Sequence, residues 1–247
     1  SFMLACNFFD SAGFYYLLIP AVWFLWNRRY GIQIYYLNLL GALFTQWLKA
    51  IFQQPRPCQL IPELGILFSK SNGFPSGAAI VTLSVFWFLT LCAKKRWFSV
   101  ASAAFILLIG FSRVYLGVHF ITDVIGGYII GALLLWGYIK ILPGAEKWFH
   151  NSMRALLTTT ALFVVLYPLS PKVHEGLIIG LGVSLGLILV QYKKYTFIPP
   201  RHFWQRAFQY ALATVPFFLF PTKPFLFFCG FWMSFGVNWL FSLKKRV

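Results

Sequence analysis

The sequence predicts an all-α protein, a polytopic transmembrane helix bundle of about nine spans. Three observations predict it. Of the 247 residues, 60% are hydrophobic, and the mean hydropathy is +0.73. Only 11% are charged, about half the usual share of a soluble domain. The basic residues, which set the net charge at +16, fall in short clusters between long apolar runs. That is the pattern of membrane topology rather than of a nucleic-acid surface. No DNA- or RNA-binding motif is present, so membrane lipids and not nucleic acid are the expected partners.

The apolar segments lie near residues 10–26, 31–52, 76–93, 97–112, 118–139, 154–168, 176–192, 207–221 and 224–242, against roughly 20 residues for a full crossing. Short loops join them, several marked by Pro or Gly. The third segment opens at Pro75-Ser76-Gly77, and the fourth closes at Ser112-Arg113. Residues 140–154 (KILPGAEKWFHNSMR) contain a Pro-Gly break and read as a linker or interfacial helix. The glycines of 176–186 (GLIIGLGVSLG) read as a helix-packing surface, since small residues let membrane helices approach closely. Composition changes little along the chain. It divides into a motif-bearing half, 1–142, and a motif-free half, 143–247, of one membrane domain.

Alternating the segments across a bilayer puts fifteen of the 21 Lys and Arg on one side. Lys49, Arg56, Lys70, Arg113, Lys172 and Lys223 remain on the other. Basic loops face the cytoplasm, so the poorer side is expected to be the periplasm, cell exterior or an organelle lumen. The opening SFMLACNFFDSAGF lacks the basic flank and small-residue cleavage site of a signal peptide. Cys6, Cys58, Cys92 and Cys229 are far apart and read as apolar filler in helices.

Three stretches carry chemistry, all on the poorer side: KAIFQQPRP (49–57), FPSGAA (74–79) and SRVYLGVHFITD (112–123). Ionisable groups are costly inside a bilayer, so an Arg, a His and an Asp together at a segment boundary point to function. Lys49, Arg56 and Arg113 supply three cations suited to phosphate oxygens. The competing reading is snorkelling of basic side chains to the interface, and Lys49 alone fits that better. Prolines on both sides of Arg56 fix the backbone that aims it. Ser76 and Gly77 open a helix whose free N–H groups can receive an anion. His119 and Asp123 are four apart and on a helix would share a face. The carboxylate would orient the imidazole as base or nucleophile, or act behind a metal-bound imidazole. A metal needs more ligands than five carboxylates allow, since Asp10, Glu63, Glu146 and Glu175 are all far from His119 in sequence. No metal is expected.

Together these stretches resemble the type 2 phosphatidic acid phosphatase (PAP2) superfamily, in which Lys is followed after six residues by Arg-Pro. Pro-Ser-Gly-His comes next, then Ser-Arg, five residues, His, three residues and Asp. Lys49 with Arg56-Pro57, and Ser112-Arg113 with His119 and Asp123, match in full. Pro75, Ser76 and Gly77 match, but Ala78 stands where the family has histidine. The motifs cover residues 49–123, the layout matches from about 8 to 140, and YLGVHF and DVIGG look like bacterial members, hence a bacterial cytoplasmic membrane.

The resemblance implies metal-independent hydrolysis of a phosphate monoester or pyrophosphate on a membrane lipid, with no cofactor. His119 would form a phosphohistidine with Asp123 behind it. Lys49, Arg56, Arg113, Ser76 and the Gly77 backbone would hold the phosphoryl oxygens. The family's histidine at position 78 is its proposed general acid, and losing a positioned acid typically costs about 10²–10⁴-fold in rate. A low-activity enzyme is therefore expected. The intact remaining motif positions favour a deliberate replacement of that histidine over a natural variant. The alternatives are a glucose-6-phosphatase-like sugar phosphatase, although those enzymes carry Gln where Asp123 stands, and a non-catalytic phospholipid-binding scaffold or transporter.

Overall fold

A computed structural model describes residues 2–149, 171–192, 202–219 and 222–243, with 154, 157, 160, 161 and 200 as isolated points. Every regular element among the described residues is a helix, as the apolar segments predict. Helix fills most of the described part of each segment expected at 10–26, 31–52, 76–93, 97–112, 118–139, 176–192, 207–221 and 224–242, of which 220 and 221 lie outside the described residues. The segment at 154–168 lies outside the described residues apart from the isolated points. Arg96–Tyr115, Ile121–Ile141 and Pro224–Phe241 are each long and apolar enough to cross a bilayer alone. Phe2–Asp10 and Ala12–Trp26, bent by 65° where they meet, add a fourth if the pair is one span. The chain is an integral membrane protein.

Two differences from the sequence reading have physical causes. The Pro-Gly break expected at 143–144 does not end its helix, which runs from Ile121 to Phe149. A proline removes one intrahelical hydrogen bond, and membrane helices tolerate that when neighbours make it good. Residues before the first expected segment are also ordered: Phe2–Cys6 is α-helical and Asn7–Asp10 forms a 3₁₀ turn. They are too short and too polar at Asn7 and Asp10 to register as a span.

The structure divides into two compact units, Ser1–Tyr15 with Gln33–Lys140, and Tyr16–Ile32 with Ile141–Val247. In the first, helix Gly77–Ala93 is the most deeply buried element and packs beside Arg96–Tyr115. Helix Ile121–Phe149 lies against it so closely that a Cβ on Gly127 would meet Ser76 O at 2.8 Å. One on Gly131 would meet Ile80 O at the same distance. In the second unit, Gly182 abuts the Phe227 carbonyl and Gly186 the Ser234 hydroxyl, as the packing reading of that glycine run anticipated. Trp232 Nε1 donates to the Leu212 carbonyl at 2.9 Å and ties the helices of that unit together.

Candidate active site

The site forms where the ends of the first unit's helices meet two loops, 53–76 and 116–120. Backbone hydrogen bonds stitch the loops: Cys58 N to Gly117 O at 3.0 Å, Leu67 N to Leu116 O at 3.2 Å, and Ser76 N to Asp123 O at 3.0 Å. Gly117 has φ +70°, the left-handed region where a side chain is strained, and a Cβ there would run into the Leu64 carbonyl. This glycine ends helix Arg96–Tyr115 and turns the chain so that His119 faces inward.

His119 and Asp123 make the expected contact by a different geometry. His119 is not helical; it sits just before helix Ile121–Phe149, in whose first turn Asp123 lies. Asp123 Oδ2 accepts the Phe120 N–H at 2.9 Å and lies 3.2 Å from His119 Nδ1. The opposite ring nitrogen, Nε2, is 3.2 Å from Arg56 Nη1. A carboxylate only accepts and a guanidinium only donates, so a neutral ring must carry its proton on Nδ1 and its lone pair on Nε2. Burial pushes the imidazole down to about 4; Asp123 opposes the shift, while Arg56 and Lys49 add to it. At neutral pH the ring is uncharged, with its free lone pair resting against a cation.

Arg56 is buried between Pro55 and Pro57. Its backbone is extended, its N–H is received by Gln59 Oε1 at 3.1 Å, and its guanidinium donates to Ser71 O, Ser71 Oγ and Val118 O. Lys49, 7% exposed, donates through Nζ to the Asn72 carbonyl, and Asn72 Nδ2 donates back to Lys49 O at 2.8 Å. It is therefore anchored in the loop and does not snorkel. Ser76 caps helix Gly77–Ala93 through a long 3.5 Å contact from Ala79 N to its Oγ. At Gly77 a Cβ would meet Thr45 Cγ2 at 2.9 Å, so the missing side chain lets helix Arg28–Phe52 approach.

The structure thus gathers His119, Asp123, Arg56, Lys49 and Ser76. Arg113 and Ala78 face another neighbour. Arg113 Nη1 donates to Asn7 Oδ1 at 2.9 Å and pairs with Asp10 Oδ2 at 3.3 Å. Arg113 and Asp10 are still close enough to Arg56 for both to bear on its charge, Asp10 stabilising it and Arg113 opposing it. Ala78 packs in an apolar cluster with Cys6 and Ile109, bordered by Met3, Phe9, Phe105 and Leu108. Sequence reasoning missed Asn7, Asp10, Ser71 and Asn72. Asp10 is far from His119 along the chain, and the fold brings it to Arg113 instead. Of the remaining histidines, His174 lies in helix Pro171–Tyr192, His202 is exposed, and His150 lies outside the described residues.

Comparison with known proteins bears on this arrangement. Residues 30–147 match the PAP2 superfamily. Phosphatidylglycerophosphatase B of Bacillus subtilis (strain 168) is 34% identical over 104 residues, which cover 40% of this chain and 49% of the relative. Glucose-6-phosphatase 3 of Homo sapiens is 26% identical over 216 residues, covering 74% of this chain and 59% of the relative. Undecaprenyl-diphosphatase of Sulfolobus acidocaldarius is 26% identical over 140 residues, covering 54% and 68%. The chain therefore spans about half the length of the first of these and under two thirds of the second. The matched stretch, residues 30–147, contains every one of the three motif segments that meet around His119, and over that stretch the chain is similar to the PAP2 superfamily.

Proposed function

We propose that the protein is a metal-independent phosphatase of lipid phosphates or pyrophosphates, working through a phosphohistidine at the outer face of the membrane. The observation that carries this reading is the neutral His119, held by Asp123 on one nitrogen and facing Arg56 with the other. An incoming phosphoryl group takes Arg56 and Lys49 as counter-ions and leaves Nε2 free to attack. The N–P bond forms as the bond from phosphorus to the leaving oxygen breaks, and Asp123 stabilises the imidazolium. Water then attacks phosphorus, the N–P electron pair returns to Nε2, and phosphate departs.

The leaving group separates the candidate substrates. An alcohol leaving oxygen must gain a proton, and Ala78 offers none. A phosphate leaving from a pyrophosphate departs as a stable anion and needs that proton far less. Turnover is therefore expected to be poor on monoesters and better on prenyl pyrophosphates, the substrate class to which the name of the Sulfolobus relative points. A lipid is favoured over a soluble sugar phosphate by the segment that follows Arg56. Its Leu60, Leu64, Ile66 and Phe68 are exposed, as are Ile51 and Phe52 just before it, an apolar rim suited to acyl or prenyl chains beside a phosphate site.

The test is phosphate release in EDTA from a diacyl lipid phosphate, a prenyl pyrophosphate, a sphingoid-base phosphate and glucose 6-phosphate. The proteins compared are the chain itself, His119→Gln, Ala78→His, and Ala78→His with Cys6→Ala to make room in the cluster. His119→Gln is expected to be inert. Histidine at 78 is expected to raise monoester turnover by about 10²–10⁴-fold and pyrophosphate turnover much less. Binding of lipid phosphate by all four proteins with turnover by none sinks the enzymatic reading in favour of a scaffold. Turnover of glucose 6-phosphate alone replaces the lipid with a sugar.

A further inference from the structure

The residues that hold Arg113 lie outside the three motif stretches and before the matched span, on the segment Phe2–Asp10. Arg113 is 2% exposed and its side chain has three donor nitrogens. Nε contacts Ser112 Oγ at 3.3 Å, and Nη1 serves Asn7 and Asp10. Nη2 is buried with no hydrogen-bond partner among the described residues. A buried, charged N–H left unmade is costly, and such groups in folded proteins call for an explanation. Arg113 lies near enough to Arg56 to bear on its charge, as do Asp10 and Asp123, so the unpartnered Nη2 belongs to the same buried charge cluster as the candidate phosphate site.

We propose that Asn7 and Asp10 are positioning residues for Arg113, clamping Nη1 so that Nη2 is held ready for a phosphoryl oxygen. This rests on the phosphatase-type anion site proposed above and adds to it residues that the motifs do not contain. The segment is held for the task independently of charge. Cys6 is 1% exposed and packs on Ala78 and Ile109, while Phe9 stacks edge-on against Phe105 at 5.1 Å. The side chain at 78 is thus the floor on which the clamp is seated.

The two partners play separable parts. Asn7 is neutral, so its loss changes where Arg113 points and not the field at the site. Without it the guanidinium must be ordered when the anion binds, at a cost of about 0.5–1.5 kcal/mol for one long side chain, or roughly 2- to 13-fold in affinity. Asp10 holds Arg113 but also repels an anion. Its side chain is 42% exposed, so that repulsion is screened. Asp10→Asn keeps the acceptor oxygen and removes the charge; it is expected to leave phosphate affinity unchanged or raise it.

The experiment titrates inorganic phosphate and orthovanadate into purified full-length protein, following the shift in thermal midpoint. The proteins are wild type, Asn7→Ala, Asp10→Asn, Asp10→Ala and Arg56→Ala. Maleimide labelling of Cys6, read by peptide mass spectrometry, reports whether the segment stays seated. The expected result is weaker anion binding by Asn7→Ala, about 2- to 13-fold, with Cys6 still protected and with affinity retained in Asp10→Asn. Unchanged affinity in Asn7→Ala with Cys6 protected overturns the proposal. Tighter binding in both Asn7→Ala and Asp10→Ala also overturns it, since the segment is then a plug competing with phosphate. Failure of wild type to bind either anion, with Arg56→Ala indistinguishable from it, overturns the anion site itself and the clamp with it.

Discussion

His119 titrates against its own burial. Its folded value of about 4 lies below the ordinary 6.5. Between those two pH values the unfolded chain binds the proton and the folded one does not, so stability is complete above about 6.5 and declines as the pH falls toward 4. Replacing His119 with Gln is expected to flatten the thermal midpoint between pH 6.5 and 4, and in the wild type the acid limb of turnover should lie near 4. A limb at 6.5 would show an imidazole in ordinary solvent contact. The pairing of His119 with Asp123 was legible from their spacing, although it is made by the first turn of a helix that His119 precedes. The tautomer was not legible, because it depends on Arg56 arriving from 63 residues away.

Among the helices, the close contact of Ile121–Phe149 with Gly77–Ala93 sets the site's depth. Gly127 and Gly131 sit one turn apart on the facing side, and the bond from Ser76 N to Asp123 O depends on their approach. Gly131→Leu forces the helices apart at Ile80. It is expected to cost about 1–3 kcal/mol in stability and to weaken orthovanadate binding with it. A variant that binds vanadate as wild type does would separate the site from this packing. Most helices were legible because an apolar run of spanning length has few alternatives in a bilayer. The helix through Pro143 and the bent pair at Ser11 were not. In the first a neighbour-dependent tolerance overrides a local rule, and in the second a stretch of nine residues is stabilised by distant partners.

For the whole molecule, the uneven distribution of basic residues makes a topological statement that single-cysteine labelling can check. With the native cysteines replaced, Cys at position 70 is expected to react with a membrane-impermeant maleimide from outside intact cells. Cys at position 95 should react only after lysis. The reverse pattern would invert the chain and put the His119 face in the cytoplasm. The grouping of Lys49, Arg56, His119 and Asp123 was legible at this scale because all four lie at or beside the ends of apolar segments, where ionisable groups collect. The contribution of Asn7 and Asp10 was not, because nothing in nine residues announces which distant arginine they will hold.

The reach from Asn7 to Arg113 spans 106 residues of sequence, and that separation fixes an order of assembly. During synthesis, Phe2–Asp10 emerges ahead of the groups that seat it: Phe14 follows, then Ala78, Phe105 and Ile109, and Arg113 last of all. Until helix Arg96–Tyr115 is inserted, Cys6 lacks Ile109, Phe9 lacks Phe105 and Asp10 lacks Arg113. The first and second motifs can pair while the nascent chain is still short, but the third cation gains its holders only when helix Arg96–Tyr115 closes back on Phe2–Asp10. Completion of the anion site is therefore a late, long-range event, and a chain stalled before residue 113 would hold an open cradle.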